Sequence, residues 1–386
     1  MSHTRIRLLV ALGAAVALGA AETGGLPTDE AAAGLRQTMQ RTLAELERLL
    51  PASVDRSEPL GVEQRAAYVE GIDGLLREME ALSVEAAERD RGFRHLSDAL
   101  ARDLAEVRRL LLRGDDETAR YYLVQTTSNC VACHSRLPAS RQPVSAAALY
   151  DRLAEDATSV HERAQLLVAT RQFDRAIAEW EALFADPEFP PSSLEIGGYL
   201  LDYLTIQLRV RNDVAGANRA LAALAKREDV PPAMHDRLAR WRAALARVES
   251  SAAAETDQLE RARSWIGSPL DPSERLIEDL AASALLLQFI DGRDEDDPAV
   301  AEAFYWLGLV ESRGIDGYWV PLAEPHLEAA IRSDPLGPFA KRAYELLEEQ
   351  VRIGVGSPQE SELPAEEQER LDALSVLIER APGDLR

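Results

Sequence analysis

The amino-acid sequence predicts an all-α protein, on three observations. Alanine, leucine, arginine and glutamate dominate it, a composition suited to packed helices. No sustained run of Val, Ile or Thr alternates with polar residues at the period of a strand. Apolar residues recur instead at three- and four-residue steps, which gathers them on one face of a helix. The 386 residues, 46% of them apolar, suffice for two or three domains with real cores, and wholesale disorder is not expected.

Residues 1–21 read as a secretory signal peptide: Arg5 and Arg7, a short apolar run over 8–18, then the small residues Gly19, Ala20 and Ala21. The run is short for a membrane span, an uncleaved anchor being the alternative, and no cysteine near it offers a lipid site. No later stretch reads as transmembrane.

Residues 22–137 are expected to form a four-helix bundle. The first helix covers about 28–50, with Leu35, Met39, Leu43, Leu46 and Leu50 on one face and Pro51 after its end. The second, about 62–89, turns Tyr68, Ile72, Leu75, Met79 and Leu82 inward. The third, about 93–113, does the same with Leu96, Leu100, Leu104, Val107 and Leu111. Gly114 stops it, and Asp115 caps a fourth helix that carries Tyr122, Leu123 and Thr126 up to two cysteines. Short connections between helices of similar length imply antiparallel neighbours.

Residues 138–144, with Pro138, Ser140, Arg141 and Pro143, read as a linker. From 145 to 386 helices are expected in pairs. One pair has small Ala164, a turn at Arg171-Gln172, then Ala176, Trp180 and Leu183. Another has Phe304, Leu307 and Gly308, then Ala323, Leu327, Ala330 and Pro335, with extra residues around Gly317-Tyr318-Trp319 in its turn. These residues resemble the tetratricopeptide repeat, in which a small residue lets paired helices approach closely. Helices near 194–211, 214–226, 232–248 and 272–291 match that pattern poorly. Irregular helical packing is the competing description.

The chemistry concentrates in Asn129-Cys130-Val131-Ala132-Cys133-His134, the C-x-x-C-H haem attachment pattern. Two thiols must add to the neighbouring vinyl groups of one haem, and the adjacent histidine then lies beneath the ring to bind iron. The expected cofactor is therefore one covalent haem c, with Cys130 and Cys133 as thioethers and His134 as axial ligand. A redox dithiol would want a βαβ setting. A zinc site would want more cysteines or closely spaced histidines, and Cys130 and Cys133 are the only cysteines.

A C-x-x-C-H at the end of the fourth helix of a bundle resembles the cytochrome c prime and c-556 group of four-helix cytochromes. The likeness covers about a third of the chain. It implies that the first helix supplies the residue over the open haem face: a methionine in the electron carriers, an apolar residue in five-coordinate members. That nominates Met39 as sixth ligand, about 15 Å along its helix; Met79 and His95 are the alternatives. Arg136 and Arg141, close after the motif, could pair with a haem propionate; both also suit a solvated linker.

Other residues carry less. His161, His235 and His326 have no metal-ligand spacing, and Trp180, Trp241, Trp265, Trp306 and Trp319 read mainly as helix packing, Trp319 with a partner groove as its other role. No glycine-rich phosphate loop, nucleophile elbow or distal acid–base pair is present, so an enzyme is not expected. The net charge of -23 disfavours nucleic acid and anionic membranes as partners. The expectation is a periplasmic monohaem cytochrome for single-electron transfer, its repeat module docking a redox partner or envelope complex. A homodimer through bundle helices is also implied by the resemblance. The alternatives are a haem-based gas or redox sensor with five-coordinate iron, or a repeat scaffold with structural haem.

Overall fold

The computed structural model describes residues 29–54, 59–86, 91–135, 160–196, 198–252, 257–267, 272–293, 297–313, 323–354 and 363–379. The expected signal peptide, the linker at 138–144, Arg136, Arg141 and Trp319 lie outside the described residues. Among those described, the protein is all-α, with sixteen α-helices and no strand. None of these helices is long and apolar enough to cross a membrane.

The first four helices are α1 (Asp29–Val54), α2 (Val62–Ala86), α3 (Arg91–Arg113) and α4 (Asp116–His134). Each packs on the next, and α1 also touches α4, so the contacts close in a ring. Ile72, Leu75, Met79, Leu82, Leu104, Val107, Leu111 and Leu123 form its buried centre. Each such side chain contributes roughly 1.5–3 kcal/mol by leaving water. Gly114 ends α3 at φ 80°, and the Asp115 carboxylate accepts from the Thr118 amide at 3.4 Å to start α4. Arg65 on α2 reaches Asp116 in the first turn of α4 with two bonds of 2.7 and 2.6 Å. One boundary differs from expectation: α1 runs through Pro51 to Val54. A proline in the last turn forfeits a single amide bond, while the Leu49 carbonyl accepts from both the Ser53 and Tyr68 hydroxyls at 2.8 Å. Tyr122, carried on α4, faces solvent.

The chain resumes with α5 (Val160–Ala169) and α6 (Phe173–Ala185), joined by a tight turn in which Arg171 takes φ 60°. Ala164, Ala176 and Trp180 are fully buried between them and their neighbours. A later pair, α13 (Pro298–Glu311) and α14 (Ala323–Ser333), closes with Gly308 directly against Leu327. Between lie α7 (Pro191–Ile196), α8 (Tyr199–Thr205), α9 (Val214–Leu224), α10 (Pro232–Ala252), α11 (Gln258–Ile266) and α12 (Pro272–Asp291), and after them α15 (Ala340–Gly354) and α16 (Ala365–Glu379). The single helix expected near 194–211 is broken at Gly198, φ 72°, and its end widens into a π turn over Ile206–Val210. Arg209 in that turn forms an ion pair with Glu311 of α13, both side chains out of contact with water.

The first four helices share a core with the later ones. Leu96 and Ala99 of α3, with Val131 and Ala132 of α4, belong to the same buried cluster as Ala164, Phe173 and Trp180. Helix α4 packs on α5, and α14 comes back to touch α3. Val131 and Ala132 near the end of α4 are thus buried in the shared core, and it is there that the motif lies.

Candidate haem site

On an α-helix, residues three and four apart share a face. Cys130, Cys133 and His134 therefore project together from the last turn of α4, while Val131 and Ala132 point the other way into the core. The helix stops at Ser135, whose amide donates to the Val131 carbonyl at 2.8 Å and whose hydroxyl donates to the Ala132 carbonyl at 3.2 Å. The side-chain amide of Asn129 donates to Asp103 on α3 at 2.7 Å and fixes the turn laterally.

The shared face opens on a partly open cavity with a mostly apolar lining, the general character of a cofactor site. Met39, Leu43, Leu46 and Leu50 of α1, Met79 and Leu82 of α2, and Leu96 and Leu100 of α3 give it an apolar wall. Three threonines in the wall turn their hydroxyls back to their own helices: Thr42 to Thr38, Thr127 to Val124 and Thr170 to Leu166, at 3.0, 2.7 and 2.9 Å. Their donors are used locally, so the cavity asks for a largely apolar occupant.

His134 Nδ1 lies 2.6 Å from the carbonyl oxygen of Ala169. Burial, with the Arg171 guanidinium nearby, lowers the imidazole pKa to about 4 against the opposing pull of that hydrogen bond. The ring is neutral at pH 7, and since a carbonyl only accepts, Nδ1 carries the hydrogen. The lone pair is left on Nε2, the form a metal requires. Arg171 Nη1 donates to the carbonyl of His134 itself at 3.2 Å. Burial, with Cys133 beside it, pushes the Cys130 thiol up to about 12.

No disulfide joins Cys130 and Cys133, and burial holds the Cys130 thiol well above neutral pH, which makes a poor redox nucleophile. Among the described residues no group of three or more His, Cys, Asp or Glu could hold a metal ion, as a zinc site would need. Haem c fits the residues present: two thiols one turn apart, a histidine with a free Nε2 on the same face, and an apolar lining. Cys130, Cys133 and His134 would hold it, and Met39 and Met79 line the same cavity.

Of the residues nominated from sequence, the structure gathers Cys130, Cys133, His134, Met39 and Met79 around this cavity. Met79 is buried and Met39 half-buried. His95 is the fifth residue of α3, but its side chain lies outside the described residues. Sequence reasoning missed Leu166, Ala169 and Arg171, which complete the wall from α5 and its turn. The turn itself was visible at Arg171-Gln172; its contact with a histidine 37 positions earlier had no local signal. No family model, curated protein or solved structure matches this chain.

Proposed function

We propose that the protein is an exported monohaem c-type cytochrome that passes single electrons in the periplasm, built as a four-helix haem bundle joined to a helical-repeat module that docks a protein partner. The observation that carries this reading is the convergence of Cys130, Cys133 and His134 on one apolar cavity whose wall also contains Met39 and Met79. When bound, the haem supplies a one-electron iron couple whose potential the axial ligands set.

The chain's own part is to hold and insulate. Cys130 and Cys133 anchor the cofactor covalently. His134 binds through Nε2 while the Ala169 carbonyl keeps its other nitrogen protonated and its ring oriented. The leucines of α1, α2 and α3 exclude water, which lowers the local dielectric and favours the less charged state of the centre. Met39 would be the leading sixth ligand, on the helix that the resembled cytochromes use, with Met79 and His95 as the alternatives.

The test is to express the full chain with haem c maturation in a bacterial periplasm, then measure haem by alkaline pyridine spectrum and by haem stain on a denaturing gel. One covalent haem per chain is expected, with a low-spin spectrum and the weak long-wavelength band of a methionine–iron bond. A chain that matures without haem ends the proposal. A high-spin spectrum that shifts with carbon monoxide moves the function to an open-faced sensor.

A further inference from the structure

The first four helices do not close the cavity by themselves. Leu166, Ala169, Thr170 and Arg171 complete it. Arg171 is the cationic side chain of this wall, and only 8% of its surface is exposed. Its backbone sits in the left-handed region at φ 60°, a conformation that non-glycine residues adopt where the surroundings hold them. Two such restraints are visible. Nη1 donates to the His134 carbonyl at 3.2 Å, and the guanidinium lies over the Phe173 ring, 5.2 Å from its centroid. The charge is fixed beside the backbone of the proximal histidine.

We propose that Arg171 is a positioning residue for the cofactor, supplied by the helices beyond the bundle: it holds the end of the haem-bearing helix and places a positive charge that favours reduced iron. The inference rests on the cytochrome reading. Reduction adds one electron, taken from an external donor, to the iron and makes or breaks no bond in the protein. A nearby cation lowers the energy of the state that holds the extra electron, and burial strengthens the effect. Lysine would keep the charge and lose the planar fork.

The experiment is a potentiometric titration of the haem-loaded full chain, with redox mediators as electron donors, on wild type, Arg171→Gln and Arg171→Lys. For Arg171→Gln the reduced-to-oxidised ratio at fixed ambient potential should fall about tenfold, a shift of about 59 mV for one electron. Arg171→Lys should recover more than half of that shift, with absorption spectra showing unchanged iron ligation in both. A Gln variant at the wild-type potential overturns the proposal, as does a Lys variant that falls as far as Gln. Should Arg171→Gln fail to accumulate, Arg171→Lys alone decides: a potential within a threefold ratio of wild type supports the role of charge, and a tenfold fall overturns it. A wild-type chain without haem would instead refute the cytochrome reading, so the two failures are distinguishable.

Discussion

His134 and Ala169 are joined by a 2.6 Å hydrogen bond between the imidazole Nδ1 and a backbone carbonyl thirty-five residues later in the chain. Helix α4 carries the histidine, but the partner that selects its tautomer belongs to α5. The tautomer that leaves Nε2 with a lone pair is therefore a product of tertiary packing between the two parts of the molecule, and on the cytochrome reading cofactor binding would be coupled to that packing.

The three motif residues should separate by their bonds. Cys130→Ser and Cys133→Ser each leave one thioether, so a haem-stained band should persist on a denaturing gel at reduced yield. The double variant should show none. His134→Gly should keep the stain while its absorption spectrum loses the pattern of histidine ligation. A stained band in the double cysteine variant would contradict the attachment.

The two methionines should differ in kind. If Met39 is the ligand, Met39→Leu removes the long-wavelength band and lowers the reduction potential, with a modest loss of stability because the residue is only half-buried. Met79 is 1% exposed. Met79→Ala should cost about 2–5 kcal/mol in urea unfolding, and Met79→Leu less than about 1.5 kcal/mol, with the band retained. Loss of the band in Met79→Leu, and not in Met39→Leu, would exchange their roles.

The parts legible in the sequence were those governed by local rules. Gly114 and Asp115 announced the end of α3 and the start of α4, and the spacing of Cys130, Cys133 and His134 alone placed them on one helix face. The close approach at Gly308 followed from a small residue in a helix pair, and its partner Leu327 was in the same pattern. What escaped depended on distance along the chain or on backbone angles. Arg171 meets His134 across 37 residues. The break at Gly198 needed its positive φ to be recognised. Helix α11, nine residues long, is too short for its buried Leu259, Ala262, Trp265 and Ile266 to display a convincing period.

Asp202 should make stability depend on pH. Burial pushes its carboxyl up to about 7, against the hydrogen bond from Gln165 at 3.2 Å, whereas in the unfolded chain it titrates near about 3.9. Between those values the folded protein holds the extra proton. Stability therefore falls as pH rises from about 4 to about 7, by a few kcal/mol at most, and levels off above. Asp279, pushed to about 6 mainly by burial, adds to the same slope. Asp202→Asn should match wild type near pH 4, exceed it at pH 8, and leave only the shallower remainder. Urea midpoints at the two pH values measure this; an unchanged slope would show that Asp202 ionises freely in the fold.

Gly308 should be intolerant of the smallest addition. A Cβ there would lie 2.6 Å from Leu327 Cγ and 3.2 Å from the Leu327 backbone nitrogen. Neither atom is a flexible side-chain end, so α13 and α14 must move apart. Alanine gains about 1 kcal/mol of helix propensity over glycine, but overpacking typically costs about 1–3 kcal/mol, so Gly308→Ala should be destabilising overall. Leu327→Ala by itself should cost about 2–5 kcal/mol, since Leu327 is fully buried. In that background the clash with the leucine side chain is gone, and Gly308→Ala should become neutral or favourable. A double-mutant cycle in urea reads this as coupling. Additive effects would mean that the leucine side chain is not what the glycine makes room for, leaving contact with the α14 backbone as the reason for its size.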